Sequence, residues 1–590
     1  MYIERVPNRN SPPAILVRSS HREGEKIIKK TLANLSGLPE EIIAVVEMAI
    51  SGKSMAPADS IFKIIRNQPH GHVEAILGVM KKLELDNILS STPSRQRDIS
   101  LALIASRLIS PSSKLAAIKL SGSTTLAEEL GVSDATEKEL YEAMDWLIER
   151  QIRIETKLAA RHLLPEDGNN HTVVLYDVSS SSYYGEHCPL VKYGYSRDDV
   201  KLPQIVYGVV TNKAGCPVSV DVYEGNTADS KTVGDQVEKL QKRFKIDRVV
   251  LVGDRGMLTS TQIDKLKEHD GIGWVSALCS SQIKKVLAEP NHQFGLFDES
   301  NLVEIESEEF PGERLVVCLN PQLREKRRHE REKLLQLTEE GLKKIKHEAS
   351  RRKKKPLNDV ELGDKSGRVL DKYKMRKHIE VKIEGGRLEY GRNNESIQEE
   401  EKLDGIYVLR TSESSSELSA PEVVRTYKGL SVVEEAFRSL KGIDLSIRPI
   451  HHHLEKRVRA HVFLCLLSYY VEWHMRKALA SVLNDEEYPE IREDPVLPKK
   501  ISEETKRKKN RGINAEGWPV CDWKSLIVEL GTCCRNTCEA IAGKFKGIFK
   551  LQTERTLFQK HVFELLGLKK NAKKLGNSKD LLLNVPSRAK

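Results

Sequence analysis

Aromatic residues make up only 5% of this 590-residue chain, and its nine cysteines follow no regular spacing. An odd, scattered set of thiols excludes the disulfide framework of a small secreted protein. Long apolar runs are missing as well. The longest nearly apolar stretch, Val462–Val471, falls well short of the roughly 20 residues that span a bilayer. The opening MYIERVPNRN is charged and lacks the apolar segment of a signal peptide. No G-x-S-x-G and no phosphate-binding glycine loop occurs, so a metal-independent hydrolase has no support. The 36 glycines and 23 prolines are too few for a collagenous or low-complexity chain, and 39% hydrophobic residues is a globular proportion. The expectation is a soluble, cytoplasmic protein of three or four domains with a large buried core.

Charge is present in both signs, 95 Lys+Arg against 85 Asp+Glu, for a net +10. It is unevenly placed. Residues 321–355 hold 14 cations and 6 acids, and residues 541–590 hold 12 and 3, which leaves the remainder at −7. Clustered cations neutralise phosphates and release condensed counterions, the usual basis of nucleic-acid affinity. The runs Arg351-Arg352-Lys353-Lys354-Lys355 and Lys506-Arg507-Lys508-Lys509 favour that reading over a merely solvated face. Neither run has the aromatic apolar face of an interfacial helix.

Along the chain, Ala14–Val17 reads as a short strand followed by helix, and apolar spacing from Val73 to Leu164 is helical. Within it, Thr125–Val132 followed by Ser133–Trp146 fits either a helix-turn-helix or an ordinary helical hairpin. At His171 the pattern changes. Strands are expected at Thr172–Val178, Ile205–Thr211, Pro217–Tyr223, Arg248–Gly253 and Gly273–Leu278, with helices near Lys231–Phe244 and Thr259–His269. Three strands joined by hairpins and then helix–strand–helix–strand is the opening order of an RNase H-like α/β core. The resulting layout has a mainly helical DNA-binding region at 1–165 and the first part of the core at 166–280. A β-rich insertion with a basic helix follows at 281–402, then the second part of the core at 403–480 and a Lys-rich region at 481–590.

Two acids stand at strand ends in this reading, Asp177 after Thr172–Tyr176 and Asp254 after Val249–Gly253. Neighbouring carboxylates repel unless cations share the site, and hard oxygen ligands suit Mg²⁺ or Mn²⁺. A capping role for each aspartate is the simpler alternative. A third acid comes from the expected helix Pro421–Lys441, where Tyr427, Glu434 and Lys441 are seven apart. Seven residues turn about 20° short of two full turns, so all three share a stripe with Arg438 nearby. Val433, Phe437 and Leu440 form the separate apolar stripe that packs on a sheet.

The segments Leu175-Tyr176-Asp177, Glu224–Asp229, Val252–Met257 and Tyr427…Glu434…Lys441 resemble the DDE transposases of bacterial insertion sequences. They are most similar to the insertion-sequence-four type and its long-insertion relatives, and Val6–Pro13 also looks like this group. The resemblance implies Asp177, Asp254 and Glu434 as the metal-holding catalytic triad of an RNase H-like core with two divalent ions. It further implies double-stranded DNA as substrate, both terminal inverted repeats and target, and a homodimer on DNA in a prokaryotic, nucleoid-associated setting. Tyr427, Lys441, Arg438 and Arg255 are the expected DNA contacts. One position departs: the arginine of the family's signature falls at Leu430, with Arg425, Lys428 and Arg438 as the cations close by. The rival functions are a non-transposing nuclease on the same fold and an inert DNA-binding descendant. Three further features are read as structural: His451-His452-His453 point apart, Cys533, Cys534 and Cys538 lack a second zinc half, and Asp229 caps the helix that follows it.

Overall fold

The apolar run from Thr172 continues as one strand through Ser182, the spine of an eight-stranded mixed sheet in the computed structural model. The structure describes residues 1–8, 12–52, 62–120, 122–165, 171–197, 201–289, 301–352, 354–484, 494–497, 501–540 and 547–568. Part of the Val6–Pro13 resemblance, Lys353 and most of the cationic tail at 541–590 therefore lie outside the described residues.

The chain divides into two compact units, one of residues 1–69 with 533–554 and one of residues 70–532 with 555–590. The smaller unit is rich in strands, whereas its N-terminal part is expected from sequence to be a short strand followed by helix. Tyr2–Val6, Ala14–Glu23 and Lys26–Asn34 form an antiparallel sheet backed by the helix Glu40–Ile50. Phe62–Pro69, Cys534–Ala540 and Ile548–Gln552 form another. The strand Lys26–Asn34 is exposed on both faces, so it has no apolar alternation to betray it.

The larger unit begins with helices, among them α1 (Arg95–Ile109), α2 (Glu137–Ile148) and α3 (Gln151–His162). Its sheet holds β1 (Thr172–Ser182), β2 (Gln204–Asn212), β3 (Pro217–Glu224), β4 (Val249–Val252), β5 (Ile272–Ala277), β6 (Leu302–Ile305) and β7 (Arg314–Leu319). An excursion follows, α4 (Pro321–Arg351), α5 (Asp359–Tyr373), β8 (Ile379–Glu384), β9 (Arg387–Arg392) and α6 (Asn394–Glu401). The chain then returns through β10 (Ile406–Thr411), α7 (Ala420–Lys428), α8 (Leu430–Lys441) and α9 (Glu455–Ala478). Sheet order is β6-β7-β10-β5-β4-β1-β2-β3. The pairs β1–β2 and β2–β3 are antiparallel, β1–β4 and β4–β5 parallel, and β5–β10, β10–β7 and β7–β6 antiparallel.

One expectation is revised here. The strands β6 and β7 extend the central sheet, so the excursion proper spans Pro321–Glu401. It is mainly helical, since α4 alone has 31 residues against six in each strand of the β8–β9 hairpin. The reason is its core: Leu335, Leu342 and Ile345 of α4 pack at helical spacing on Leu362 and Leu370 of α5 and on Ile379 and Leu388. The segment Thr125–Trp146 has two readings open, a helix-turn-helix and an ordinary helical hairpin. Its first helix, Leu126–Glu129, is a single turn. Its second, α2, buries Leu140, Ala143, Met144 and Leu147 and exposes Glu137 and Glu142 beside Lys138, with Glu149 exposed just past its end. A face this acidic repels phosphates, which favours the hairpin reading.

Candidate active site

Asp177 lies inside β1, not at its end, because β1 stays paired with β2 as far as Ser182↔Gln204. On its other side the parallel partner β4 stops at Val252, opposite Leu175. The sheet therefore opens beside Asp177, and a strand interior carries a carboxylate where a neighbour is missing. Asp254 lies two residues beyond Val252, as Asp177 lies two beyond Leu175, so the register brings the two acids level. A tight turn holds Asp254: its Oδ1 accepts the Met257 N–H at 2.8 Å and its carbonyl accepts the Leu258 N–H at 3.0 Å.

The third acid arrives on α8. Val433, Ala436, Phe437 and Leu440 are buried on the sheet side, with Phe437 edge-on to Tyr207 at 5.7 Å, while Glu434 and Arg438 are exposed. The expected single helix is in fact two, α7 and α8, meeting at Gly429. Gly429 keeps nearly helical angles (φ −58°, ψ −23°), so Tyr427 at the end of α7 stays close to the phase of Glu434.

Electrostatics show the groups converging. Burial pushes the Asp177 carboxyl up to about 7, helped by the charges of Asp254 and Glu434 and opposed by the Val178 N–H and Arg197. Burial likewise pushes the Tyr427 hydroxyl up to about 12, and Asp254, Glu434 and Asp177 each add to this while Arg255 opposes it. One hydroxyl thus feels all three carboxylates and the Arg255 cation. Arg255 and Tyr427 also line a cleft of about 640 Å³ that reaches Lys284, ahead of β6, and Arg327 and Lys377 of the excursion.

Lys441 is half-buried in the last turn of α8. Leu430 packs against the core, and Lys428 donates to the carbonyls of Pro495 and Val496 at 2.7 and 2.6 Å, so its ammonium is committed to backbone. Asp229 does not cap through its side chain; it pairs with Arg197. Arg197 was not singled out from sequence. Its backbone N–H donates to Ser180 Oγ on β1 at 3.3 Å, and its charge reaches Asp177. The pairing partners are 32 residues apart, which no local pattern reveals. The three histidines have different neighbours: His451 lies 6.2 Å from the Tyr184 ring, His452 packs against Tyr141 and His461, and His453 reaches the Glu186 carbonyl at 2.7 Å. All nine cysteines are free thiols.

Three carboxylates from β1, the β4 turn and α8, one of them held reluctant to ionise by burial and, secondarily, by the other two, form a hard oxygen donor set. That set fits a divalent cation, which would relieve their mutual repulsion. Among the described residues no helix is long and apolar enough to cross a membrane. No curated protein matches the chain. The family model for the transposase DDE domain matches residues 169–471, a span that takes in the whole central sheet and all three acids, and the chain belongs to that transposase family.

Proposed function

We propose that this transposase cleaves DNA at the terminal inverted repeats of an insertion sequence and joins the freed ends to target DNA. Membership of the family makes DNA its partner and divalent metal its general requirement. In our reading Asp177, Asp254 and Glu434 hold two Mg²⁺ or Mn²⁺ ions on an RNase H-like core. The observation that carries the reading is the meeting of three carboxylates from distant segments around one tyrosine hydroxyl. The run of three antiparallel strands followed by two parallel ones, β3-β2-β1-β4-β5, supports the core assignment.

Bound cations would supply activation of the attacking oxygen and charge neutralisation at the leaving oxygen. The chain's own groups do the positioning. Arg255, Arg438 and Lys441 flank the acids and hold the phosphates on either side of the scissile bond, and the Tyr427 hydroxyl donates to a phosphate oxygen. Tyr427 stays protonated because burial and three carboxylates hold it so, and a neutral donor suits an anionic partner. Hydrolysis and strand joining use the same residues, with water or a DNA 3′-hydroxyl as nucleophile. The exposed cations of α4, a helix about 46 Å long, track the duplex backbone, and pairing of two element ends brings two copies of the chain together.

The test is cleavage of terminal-repeat DNA in Mg²⁺ with Asp177→Ala, Asp254→Ala and Glu434→Ala. Each should abolish cleavage and joining while DNA binding persists. Full activity in any one removes that residue from the triad. Cutting that ignores the terminal repeats and never joins ends would mark a nuclease instead.

A further inference from the structure

Away from the acids, three side chains that suit a different metal meet, with Cys216 buried and both histidines half-buried. His162 ends α3, Cys216 closes the β2–β3 turn, and His474 lies near the end of α9. One ligand atom from each lies within 4.8 Å of the others, and Cys216 Sγ is 3.9 Å from His474 Nε2. The sequence separations, 54 and 258 residues, give no motif, so this cluster is visible only in three dimensions.

We propose that His162, Cys216 and His474 form a binding site for a borderline-soft cation of the zinc class, stapling α3, the β2–β3 turn and α9 together. Two imidazoles and one thiolate are ligands that Zn²⁺ takes at about 2.0–2.1 Å (N) and about 2.3 Å (S). Tetrahedral bonds of those lengths put ligand atoms roughly 3.5 Å apart, so the trio needs to contract by only about 1 Å. The donors are suitably prepared. Burial holds both imidazoles near 4, leaving them neutral with lone pairs to give. Tyr470 OH lies 2.9 Å from His162 Nε2 and orients that ring, the outer-shell partner that metal-binding histidines commonly have. Burial raises the Cys216 thiol well above its ordinary range, so binding must expel its proton to solvent as the sulfur–metal bond forms. Lys477 and Arg161 face the imidazoles and Lys477 also the thiol; these cations oppose binding and tune its affinity downward. The fourth position is left for water.

The location gives the staple a role. Asn212, at the start of the turn, pairs with Val174, three residues before Asp177, so the site stands about 10 Å or more along the sheet from the acids. Gly215, in the left-handed region at φ +86°, brings the same turn against α8. A Cβ there would lie 2.9 Å from Val432 Cγ2, two residues before Glu434. Fixing the turn supports the helix that presents Glu434.

Co²⁺ serves as the spectroscopic probe. Chelator-stripped full-length protein titrated with Co²⁺ should develop a near-ultraviolet sulfur-to-cobalt charge-transfer band, which Co²⁺ bound at the carboxylates cannot produce. Zn²⁺ should displace it, and excess Mg²⁺ should not. Asp177→Asn should keep the band, Cys216→Ser should lose it, and His474→Gln should weaken binding about tenfold or more. Absence of the band in the wild-type chain at any Co²⁺ concentration overturns the proposal without recourse to a variant. Its persistence in Cys216→Ser does so equally, by assigning the sulfur elsewhere.

Discussion

Replacing Asp177 by asparagine separates the electrostatic burden of the site from its chemistry. The Asp177 carboxyl titrates at about 7 in the folded chain against an ordinary 3.8, mainly because it is buried and secondarily because Asp254 and Glu434 lie close. The folded state therefore holds this proton more tightly than the unfolded state does. Between pH 3.8 and about 7 the unfolded chain has already released it while the folded chain has not, so stability falls as pH rises through that window. Above about pH 7 the loss is complete and amounts to about 4 kcal/mol. Asparagine is neutral in both states and escapes the penalty. In EDTA, Asp177→Asn should match the wild type near pH 4 and exceed it by about 2–4 kcal/mol at pH 8, read from urea unfolding midpoints. Mg²⁺ should close the gap, because a cation stabilises only the chain that carries the full set of carboxylates. A stability difference that is the same at pH 4.5 and pH 8, or equal stabilisation of both proteins by Mg²⁺, would refute the argument that the acids crowd one another.

Lys114 is buried, with Nζ 2.6 Å from His461 Nδ1 and Arg107 nearby, and titrates at about 7 against an ordinary 10.5. Here the unfolded state binds the proton more tightly, so wild-type stability rises between pH 7 and 10.5. Lys114→Met should be the more stable protein near pH 6, by at most about 5 kcal/mol, with the advantage shrinking as pH rises in urea titrations. Arg410 and Glu313 form a two-bond pair at 2.6 Å, each almost wholly buried. Glu313→Gln should cost about 3–5 kcal/mol of unfolding free energy by leaving the guanidinium without its charge partner. At Gly225 a Cβ would lie 1.9 Å from the Gln204 carbonyl and 2.5 Å from that of Lys192, so Gly225→Ala must displace backbone. A loss of about 1–3 kcal/mol in thermal or urea unfolding is expected, with weaker DNA cleavage because the displaced loop carries Arg197.

The acids could be read from the sequence because the relations that unite them are short-range rules. A parallel register carries Asp177 and Asp254 to one level once both strands are recognised, and both strands are continuous apolar runs. Glu434 followed from helical phase, and that inference survived the division of the helix because Gly429 retains near-helical angles. What escaped depends on partners far apart in the chain. The apolar strand β7 gives no sign that it pairs with β10, almost 90 residues later, and without that pairing the stretch after β5 looks like a separate insertion. Asp229 showed only its nearest neighbours, which suggested a cap, whereas its charge is spent on Arg197 across a loop. The His162, Cys216 and His474 cluster is the extreme case, since each residue is unremarkable in its own segment. In each instance the missing information is which distant segment closes the packing. A local pattern constrains the face a residue presents, and the fold decides what meets it. That is why the carboxylates, two levelled by strand register and one set by helical phase, were legible, while the cation that steadies Asp177 and the thiol of the β2–β3 turn were not.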